Sequence, residues 1–258
     1  MIIDTHAHYD DDKFNEDRDE IINSLKEEGI DIVVNIGASL DSCKKTIELT
    51  AKYPFIYGAL GVHPSDIGDL NEESFKWLSE AVDREKIVAV GEIGLDYYWC
   101  DDRDEQKRQR EWFVRQINLA REKNLPIVVH SRDAAKDTLD IVKAQRAGEI
   151  GGIIHCFSYG KEMAKEYLDM DFFLGIGGVV TFNNAKKIKE VVEYTPIEKI
   201  VLETDCPYLA PVPFRGKRNS SLYLPYVVKE IANIKKISEQ EVIDITRKNA
   251  LTVYRINK

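Results

Sequence analysis

Eight short runs of apolar, mostly β-branched residues recur along the chain, and a polar stretch with helical spacing follows each of them. Near-continuous apolar runs, rather than alternation of apolar and polar residues, are typical of strands buried on both faces of a parallel sheet. Eight strand-then-helix units in about 250 residues predict a (β/α)8 barrel, the TIM-barrel class of α/β fold. The predicted strands lie at 2–4, 32–36, 55–60, 87–90, 127–129, 152–154, 172–176 and 200–202.

Apolar residues at intervals of three and four predict helices between these strands, most clearly over 108–123. Asn71 and Asp133 are predicted to cap helices, because their short side chains can accept hydrogen bonds from the first free N–H groups. Ser238, with a glutamate three residues later, predicts a capping box at the start of a last helix that ends near Tyr254.

The rest of the sequence favours one domain over residues 1–258, because no linker or low-complexity tract divides it. A glycine-rich phosphate motif does not follow the first strand, which disfavours a dinucleotide-binding fold. No apolar run approaches the roughly 20 residues of a membrane span, and no secretory signal is recognisable, so membrane attachment is not expected. Four scattered cysteines without a CxxC pair predict reduced thiols and a cytoplasmic protein.

The net charge narrows the range of partners. Lys and Arg number 36 against 45 Asp and Glu, which gives a formal charge of -9. That balance argues against a protein that coats nucleic acid or an anionic membrane with its whole surface. It leaves room for a local cationic site.

Histidine is scarce, and all five histidines come directly after a predicted strand. Glu92 follows the fourth predicted strand and Asp205 the eighth. The carboxyl ends of barrel strands converge on one face, where barrel enzymes carry their catalytic groups. We therefore expect one cluster, formed by His6, His8, His63, Glu92, His130, His155 and Asp205.

The cluster has the composition of a metal site. His6 and His8 are two residues apart, so on an extended backbone both rings point to the same side and can hold one ion. Imidazole and carboxylate together suit Zn²⁺, Mn²⁺, Co²⁺ or Ni²⁺ better than Mg²⁺. Four histidines, Glu92 and Asp205 exceed what one tetrahedral ion needs, which predicts two divalent cations with Glu92 as the bridge.

Several residues near the cluster keep alternative interpretations. His63 can contact a ligand of the metal, face the substrate or simply complete a turn. Cys156 and Cys206 flank predicted ligands but suit a packing role at least as well. The glycines at 175, 177 and 178 fit either a phosphate cradle or a crowded part of the barrel.

The motifs around these residues resemble the signatures of the TatD-like metal-dependent hydrolases. This family belongs to the amidohydrolase superfamily of metal-bearing barrels, and its characterised members are mostly deoxyribonucleases. The resemblance extends from Met1 to about Tyr254. The matching segments are Asp4 to His8, Gly61 to Pro64, Gly91 to Tyr98, Leu125 to Ala134, His155 to Ser158, Glu203 to Pro211 and Arg215 to Asn219.

The resemblance implies a division of the ligands. His6, His8 and Asp205 would hold one ion, and Glu92 would bridge to a second ion held by His130 and His155. The sequence departs from the family pattern at Tyr159-Gly160 and Ser220-Ser221, outside the implied ligands. These departures bear on loop shape and substrate preference rather than on metal binding.

The predicted reaction is hydrolysis of a DNA phosphodiester by a metal-activated water. Asp205 would orient or deprotonate that water, and Glu92 and His63 complete the predicted catalytic set. DNA, as a single strand or an end, is the expected transient partner, and the oligomeric state is not predicted. The predicted substrate-binding residues are Arg132, Arg215, Lys217 and Arg218, with Tyr98, Trp99 and Tyr208 as candidates for stacking on bases.

Two other functions stay open at this point. The same site could hydrolyse amides or esters, for example as an aminoacyl-tRNA deacylase. A barrel that is stabilised by metal and serves only as a binding partner is the other alternative, although a structural ion normally has a closed coordination shell. With two carboxylates and two divalent ions, the site would carry a local charge of about +2 despite the acidic surface.

Overall fold

The computed structural model describes residues 1–256 and forms the predicted barrel, with eight parallel strands hydrogen-bonded in chain order. The predicted domain, residues 1–258, includes residues 257 and 258, which lie outside the described part. All eight predicted strands are present. Their bounds are β1 Ile2–Ala7, β2 Ile30–Gly37, β3 Ile56–Leu60, β4 Ile87–Asp96, β5 Ile127–Arg132, β6 Gly152–Ile154, β7 Phe173–Ile176 and β8 Ile200–Leu202.

Three strands, β1, β4 and β5, extend at least three residues past the carboxyl ends of their apolar runs. As a result His6, Glu92 and His130 lie within β1, β4 and β5 rather than after them. The backbone ladder continues through these polar positions, as the pairing of Gly94 with His130 shows. Apolarity therefore located every strand but not the carboxyl ends of these three, because polar side chains that face the barrel mouth leave backbone pairing intact.

Within residues 1–256 the helical layer comprises nine α-helices, and none of them is long and apolar enough to cross a membrane. The helices are α1 Arg18–Ser24, α2 Leu40–Lys52, α3 Glu72–Ala81, α4 Arg103–Glu122, α5 Ala135–Ala144, α6 Lys161–Asp169, α7 Lys186–Tyr194, α8 Leu224–Lys235 and α9 Glu239–Val253.

Two of the three predicted helix caps are confirmed. Asn71 and Ser238 each form a full capping box at the start of α3 and α9. The prediction for Asp133 is wrong: its backbone is left-handed, with φ of 53°, and α5 begins after Ala134 without a side-chain cap. The long helix also starts before 108, because Asp102 accepts hydrogen bonds from the backbone N–H groups of residues 104 and 105.

The inner core fills the amino-terminal half of the barrel and leaves the other end to polar residues. One cluster of buried apolar side chains takes at least one member from every strand, among them Ile3, Val128 and Val201. Helix α9 packs on this cluster through Ala250 and Val253. With that end filled and covered, the carboxyl ends of the strands are the part of the barrel available for a site.

A buried carboxylate joins the first strand to the segment after the last. Asp4 Oδ1 accepts hydrogen bonds from the backbone N–H groups of His6, at 3.2 Å, and Thr204, at 3.1 Å. Its Oδ2 accepts from the hydroxyls of Thr204, at 2.7 Å, and Ser221, at 2.6 Å. Burial raises the pKa of Asp4 to about 7, against the opposing effect of these hydrogen bonds. Asp4 therefore fixes the backbone beside His6 and Asp205.

Replacing Asp4 by alanine should destabilise the fold. Two buried N–H groups would lose their acceptor, and each such loss costs about 1–3 kcal/mol, so we expect the free energy of unfolding to fall by at least about 2 kcal/mol. Urea denaturation measures this change. The matched control is Asp41→Ala, whose side chain is 75% exposed at the start of α2 and should cost less than about 1 kcal/mol. Equal effects of the two substitutions would contradict the role given to Asp4.

Candidate metal centre

A cavity of about 540 Å³ opens at the carboxyl ends of the strands. Most of the predicted site residues line it, and His6 lies buried beside them with 1% of its surface exposed. The lining residues that come from the predicted site are His8, His63, Glu92, His130, Arg132, His155 and Asp205.

The first group of donor atoms comes from the first strand and from the segment that follows the last strand. The Nε2 atoms of His6 and His8 are 3.1 Å apart, and Asp205 Oδ1 lies 3.3 Å from His8 Nε2. On its other side, His8 Nδ1 is 3.0 Å from the carbonyl oxygen of Ile36. Because a carbonyl oxygen only accepts, Nδ1 carries a proton, and Nε2 offers its lone pair to the cavity when the ring is neutral.

Glu92 stands between this group and the second. One of its carboxylate oxygens, Oε2, lies 3.4 Å from His6 Nε2. The other, Oε1, lies 2.6 Å from His130 Nδ1 and 3.8 Å from His155 Nε2. Because the two oxygens face different sets of histidines, this one side chain can serve two neighbouring cations.

The structure places His63 in the second group and His155 between the two groups. His63 groups with Glu92 and His130, because the donor atoms of these three residues lie within 4.8 Å of one another. His155 Nε2 lies between Glu92 Oε1, at 3.8 Å, and Asp205 Oδ1, at 3.7 Å. His155 can therefore serve either group, including the second, to which the resemblance assigns it.

The donor atoms fit a divalent cation. Two ligands of one zinc-sized ion, each about 2.0–2.1 Å from it, lie about 3.0–3.4 Å apart. The contacts of His8 Nε2 with His6 and Asp205, at 3.1 and 3.3 Å, have this spacing. The mixture of imidazole and carboxylate suits Zn²⁺ and its neighbours in the first transition row.

The proton affinities show how strongly the site favours positive charge. Burial lowers the pKa of His8, but the hydrogen bond and negative charge of Asp205 outweigh it and raise that pKa to about 9. For His155, burial is likewise outweighed by the charges of Glu203 and Glu92, and its pKa rises to about 10. Burial would raise the pKa of Glu92, yet the surrounding histidines hold it well below its usual range. A cation that binds here must displace protons from these rings.

His63 is held neutral instead. Burial, together with the charge of His130, lowers its pKa to about 4. The backbone N–H of Ser65 donates to His63 Nδ1 at 3.1 Å. Because Nδ1 is thereby an acceptor, the ring proton sits on Nε2, which lies 3.9 Å from Glu92 Oε1.

Two buried carboxylates contact the far sides of ligand histidines and were not assigned a role from the sequence. Asp96 Oδ2 lies 3.1 Å from His130 Nε2, and Glu203 Oε2 lies 3.2 Å from His155 Nδ1. The sequence feature that marks both carboxylates is an acidic residue near the end of a strand, in the same motif as a predicted metal ligand. A carboxylate on the far nitrogen orients a metal-binding imidazole.

The crowded glycines make room for protein atoms. A Cβ on Gly175 would clash with the Glu203 carboxylate, and one on Gly178 would clash with the carbonyl oxygen of Leu209. Of the two cysteines near the ligands, Cys206 is buried and Cys156 is partly buried. The close-packing interpretation of these glycines fits the structure.

Of the four predicted substrate-binding cations, Arg132 alone lines the cavity, and its guanidinium lies 3.8 Å from the centre of the Tyr98 ring. The structure does not bring Arg215, Lys217 and Arg218 to the cavity lining. Arg218 instead forms an ion pair with Asp17. The guanidinium of Arg215 lies over the ring of Phe182.

The lining carries more negative charge than the sequence suggested. Six carboxylates line the cavity rather than the two predicted from the sequence, and Arg132 is the single Lys or Arg among the lining residues. Two divalent cations would balance four of these charges, so a local charge of about +2 does not hold for the cavity as a whole. The carboxylates belong to Asp10, Asp11, Asp66, Glu92, Asp96 and Asp205.

Comparison with known proteins gives matches over nearly the whole chain. The sequence model of the family described as TatD related DNase matches residues 3–255. The uncharacterized metal-dependent hydrolase YabD of Bacillus subtilis is 44% identical over 257 residues, which cover 100% of both chains. The uncharacterized metal-dependent hydrolase YcfH of Escherichia coli K12 is 32% identical over 100% of this chain and 97% of its own.

Solved structures repeat the same fold. YjjV, a TatD homolog from Escherichia coli K12, superposes with a TM-score of 0.91 at 26% identity and covers 99% of this chain and 98% of its own. The organophosphorus hydrolase from Deinococcus radiodurans superposes with a TM-score of 0.62 at 13% identity, over 98% of this chain and 92% of its own. The second likeness concerns the fold alone.

Divalent cations should stabilise the chain. A ligand present at 100 times its Kd adds about 2.7 kcal/mol to the stability of the folded state. In a domain of this size, that raises Tm by about 5–10 °C. We expect this rise when Zn²⁺ or Mn²⁺ is added to chelator-treated protein in a thermal melt.

The His8→Ala variant should lose much of the rise, while Asp41→Ala should retain it. The metal centre would be refuted if neither ion changed the Tm of the wild-type chain, or if His8→Ala responded as fully as the wild type.

Proposed function

We propose that this chain, which belongs to the TatD family of metal-dependent hydrolases, is a deoxyribonuclease that cleaves phosphodiester bonds with two divalent cations. The observation that carries this proposal is the position of Glu92. Its Oε2 faces His6 and its Oε1 faces His130, so a single carboxylate separates two groups of cation ligands. The family description as TatD related DNase supports DNA as the substrate.

The bound cations would neutralise charge on the phosphodiester and lower the pKa of a water molecule. The residues proposed to hold them are His6, His8 and Asp205 for the first, and His130 and His155 for the second, with Glu92 shared. Mixed imidazole and carboxylate donors favour Zn²⁺, Mn²⁺, Co²⁺ or Ni²⁺ over Mg²⁺.

Asp205 is proposed to orient the attacking water and accept its proton. Burial would raise the pKa of Asp205, but the hydrogen bond of His8 and the charge of His155 lower it, so the carboxylate is ionised at neutral pH. Its side chain keeps 19% of its surface exposed to the cavity. An ionised carboxylate at the mouth of the site can act as a proton acceptor.

His63 is proposed to bind the substrate as a neutral donor. Ser65 fixes its Nδ1 as an acceptor, which leaves the proton on Nε2, at the side of the ring that faces Glu92. A pKa of about 4 keeps the ring uncharged at neutral pH. His63 would thus donate a hydrogen bond to an oxygen of the scissile phosphate or of the leaving group.

The cavity rim is proposed to bind unpaired bases. Trp99 lines the cavity with 72% of its surface exposed, and Tyr208 lines it with 44% exposed. Arg132, stacked on Tyr98, brings a cation to the same rim. Exposed aromatic rings and one arginine offer stacking and a phosphate contact, a combination suited to a single strand or a frayed end.

The compartment is a separate proposal. The four cysteines are free thiols in the structure, and two of them, Cys43 and Cys206, are buried. Thiols that stay reduced are typical of proteins in the cytoplasm, and this supports a cytoplasmic location.

Removal of a central ligand should abolish metal-dependent cleavage. We expect Asp205→Asn and His6→Ala each to lower kcat for DNA by at least about 100-fold, because Asp205 accepts the proton and His6 helps to hold the first cation. The assay uses Mn²⁺-loaded protein with single-stranded DNA, duplex DNA and an ester substrate, and Asp41→Asn is the control.

Ester cleavage without DNA cleavage by the wild type would favour the amide and ester hydrolase function instead. Full DNA cleavage by both variants would show that another site performs the reaction.

Loss of the aromatic rim should weaken binding of single strands. Stacking contributes about 1–3 kcal/mol per base, so Trp99→Ala should raise KM for single-stranded DNA by about 5- to 150-fold with little change in kcat. The control is Tyr194→Ala, which removes an exposed ring on α7. An unchanged KM in Trp99→Ala would exclude stacking on this residue.

A further inference from the structure

Glu203 is a buried carboxylate for which the proposed reaction has no use. It follows β8, has 1% of its surface exposed and makes two close contacts. Its Oε1 accepts the backbone N–H of Cys156 at 2.6 Å, and its Oε2 lies 3.2 Å from His155 Nδ1. The opposite nitrogen of His155, Nε2, faces Glu92 and Asp205. The imidazole therefore lies between Glu203 and the cation ligands.

The neighbouring strand, β7, leaves space for the Glu203 carboxylate. Gly175 in β7 lacks the Cβ that would otherwise occupy the place of Glu203 Oε2. The His155 ring is also held from one face, because it stacks on His6 with centroids 3.5 Å apart and planes 16° apart. Both the carboxylate and the ring are therefore restricted to one arrangement.

We propose that Glu203 is a positioning residue that keeps the ring proton of His155 on Nδ1, so that the lone pair of Nε2 is free for the second cation. The inference rests on the proposed function, because it takes His155 as a ligand of that cation. The backbone N–H of Cys156 is always a donor, so one oxygen of residue 203 must accept from it. The second oxygen then accepts from His155 Nδ1, and this defines the tautomer.

An amide in the same place would reverse the tautomer. In Glu203→Gln the amide oxygen would accept from Cys156, and the amide NH₂ would face His155 Nδ1. That nitrogen would then have to accept, and the ring proton would move to Nε2, the atom that should hold the cation. The substitution preserves size and the Cys156 hydrogen bond, so a role for Glu203 in packing alone predicts no effect.

A competing arrangement makes Glu203 a ligand itself. Donor atoms of His6, His155 and Glu203 lie within 4.8 Å of one another. In that arrangement Glu203→Gln would remove a ligand without moving the His155 proton. The two possibilities therefore differ in a property of His155 that can be measured directly.

The test combines a Zn²⁺ titration with nitrogen NMR of the full chain labelled with ¹⁵N-histidine. In the zinc-loaded wild type, we expect the His155 proton on Nδ1. In Glu203→Gln we expect it on Nε2, and the second Zn²⁺ should bind about 10- to 100-fold more weakly. Co²⁺ absorption spectra should show the same loss at the second site. Glu198→Gln, on an exposed side chain five residues away, is the control and should match the wild type.

A second variant separates position from charge. Gly175→Ala keeps the Glu203 carboxylate but displaces it, so a folded Gly175→Ala chain should also bind the second Zn²⁺ more weakly. Wild-type affinity and an unmoved His155 proton in Glu203→Gln would overturn the inference. Loss of the second ion with the proton still on Nδ1 would overturn it too, because Glu203 would then be a ligand.

DNA cleavage is not among these readouts. A chain that binds two zinc ions and shows the expected His155 shift, but cleaves an ester rather than DNA, would refute the proposed function while supporting the inference.

Discussion

The centre of the structure depends on a buried negative charge. Glu92 has 4% of its surface exposed, and an isolated carboxylate so far from water would be costly to ionise. It stays ionised because histidines from four other strand ends or loops surround it, and its charge in turn helps to raise the pKa values of His8, His130 and His155. The carboxylate and the histidines thus each offset the cost of burying the other. A divalent cation can supply the positive charge that those protons provide, and for this reason the same geometry suits metal binding.

A second layer of carboxylates holds this arrangement in place. Asp4, Asp96 and Glu203 each contact a backbone N–H group with one oxygen. With the other oxygen, Asp96 and Glu203 each reach a ring nitrogen that points away from the shared Glu92 carboxylate. The same geometry thus recurs at the carboxyl ends of two different strands, β4 and β8. Such outer contacts fix the orientation of the His130 and His155 rings.

The sequence predicts the architecture well because each strand of the barrel leaves its own pattern in a short stretch of sequence. Every buried strand has an apolar core, and the five histidines and two carboxylates mark strand ends that must converge. A local pattern does not show which distant residue a side chain contacts. Glu203 acts on His155, and Arg218 is neutralised by Asp17, each across a large separation in sequence. The carboxyl ends of β4 and β5, at Asp96 and Arg132, depend likewise on the pairing of the two strands with each other.

The seam between the first and last strands has a consequence for biosynthesis. Asp4 and Thr204 are 200 residues apart in the sequence, and the ligands beside them belong to the same group. At about 5–20 residues per second, a ribosome needs about 10–40 s to add that length. His6 and His8 are therefore made first, and Asp205 can join them only when β8 has left the ribosome and docked. Completion of this group of candidate ligands is in this way coupled to completion of the barrel.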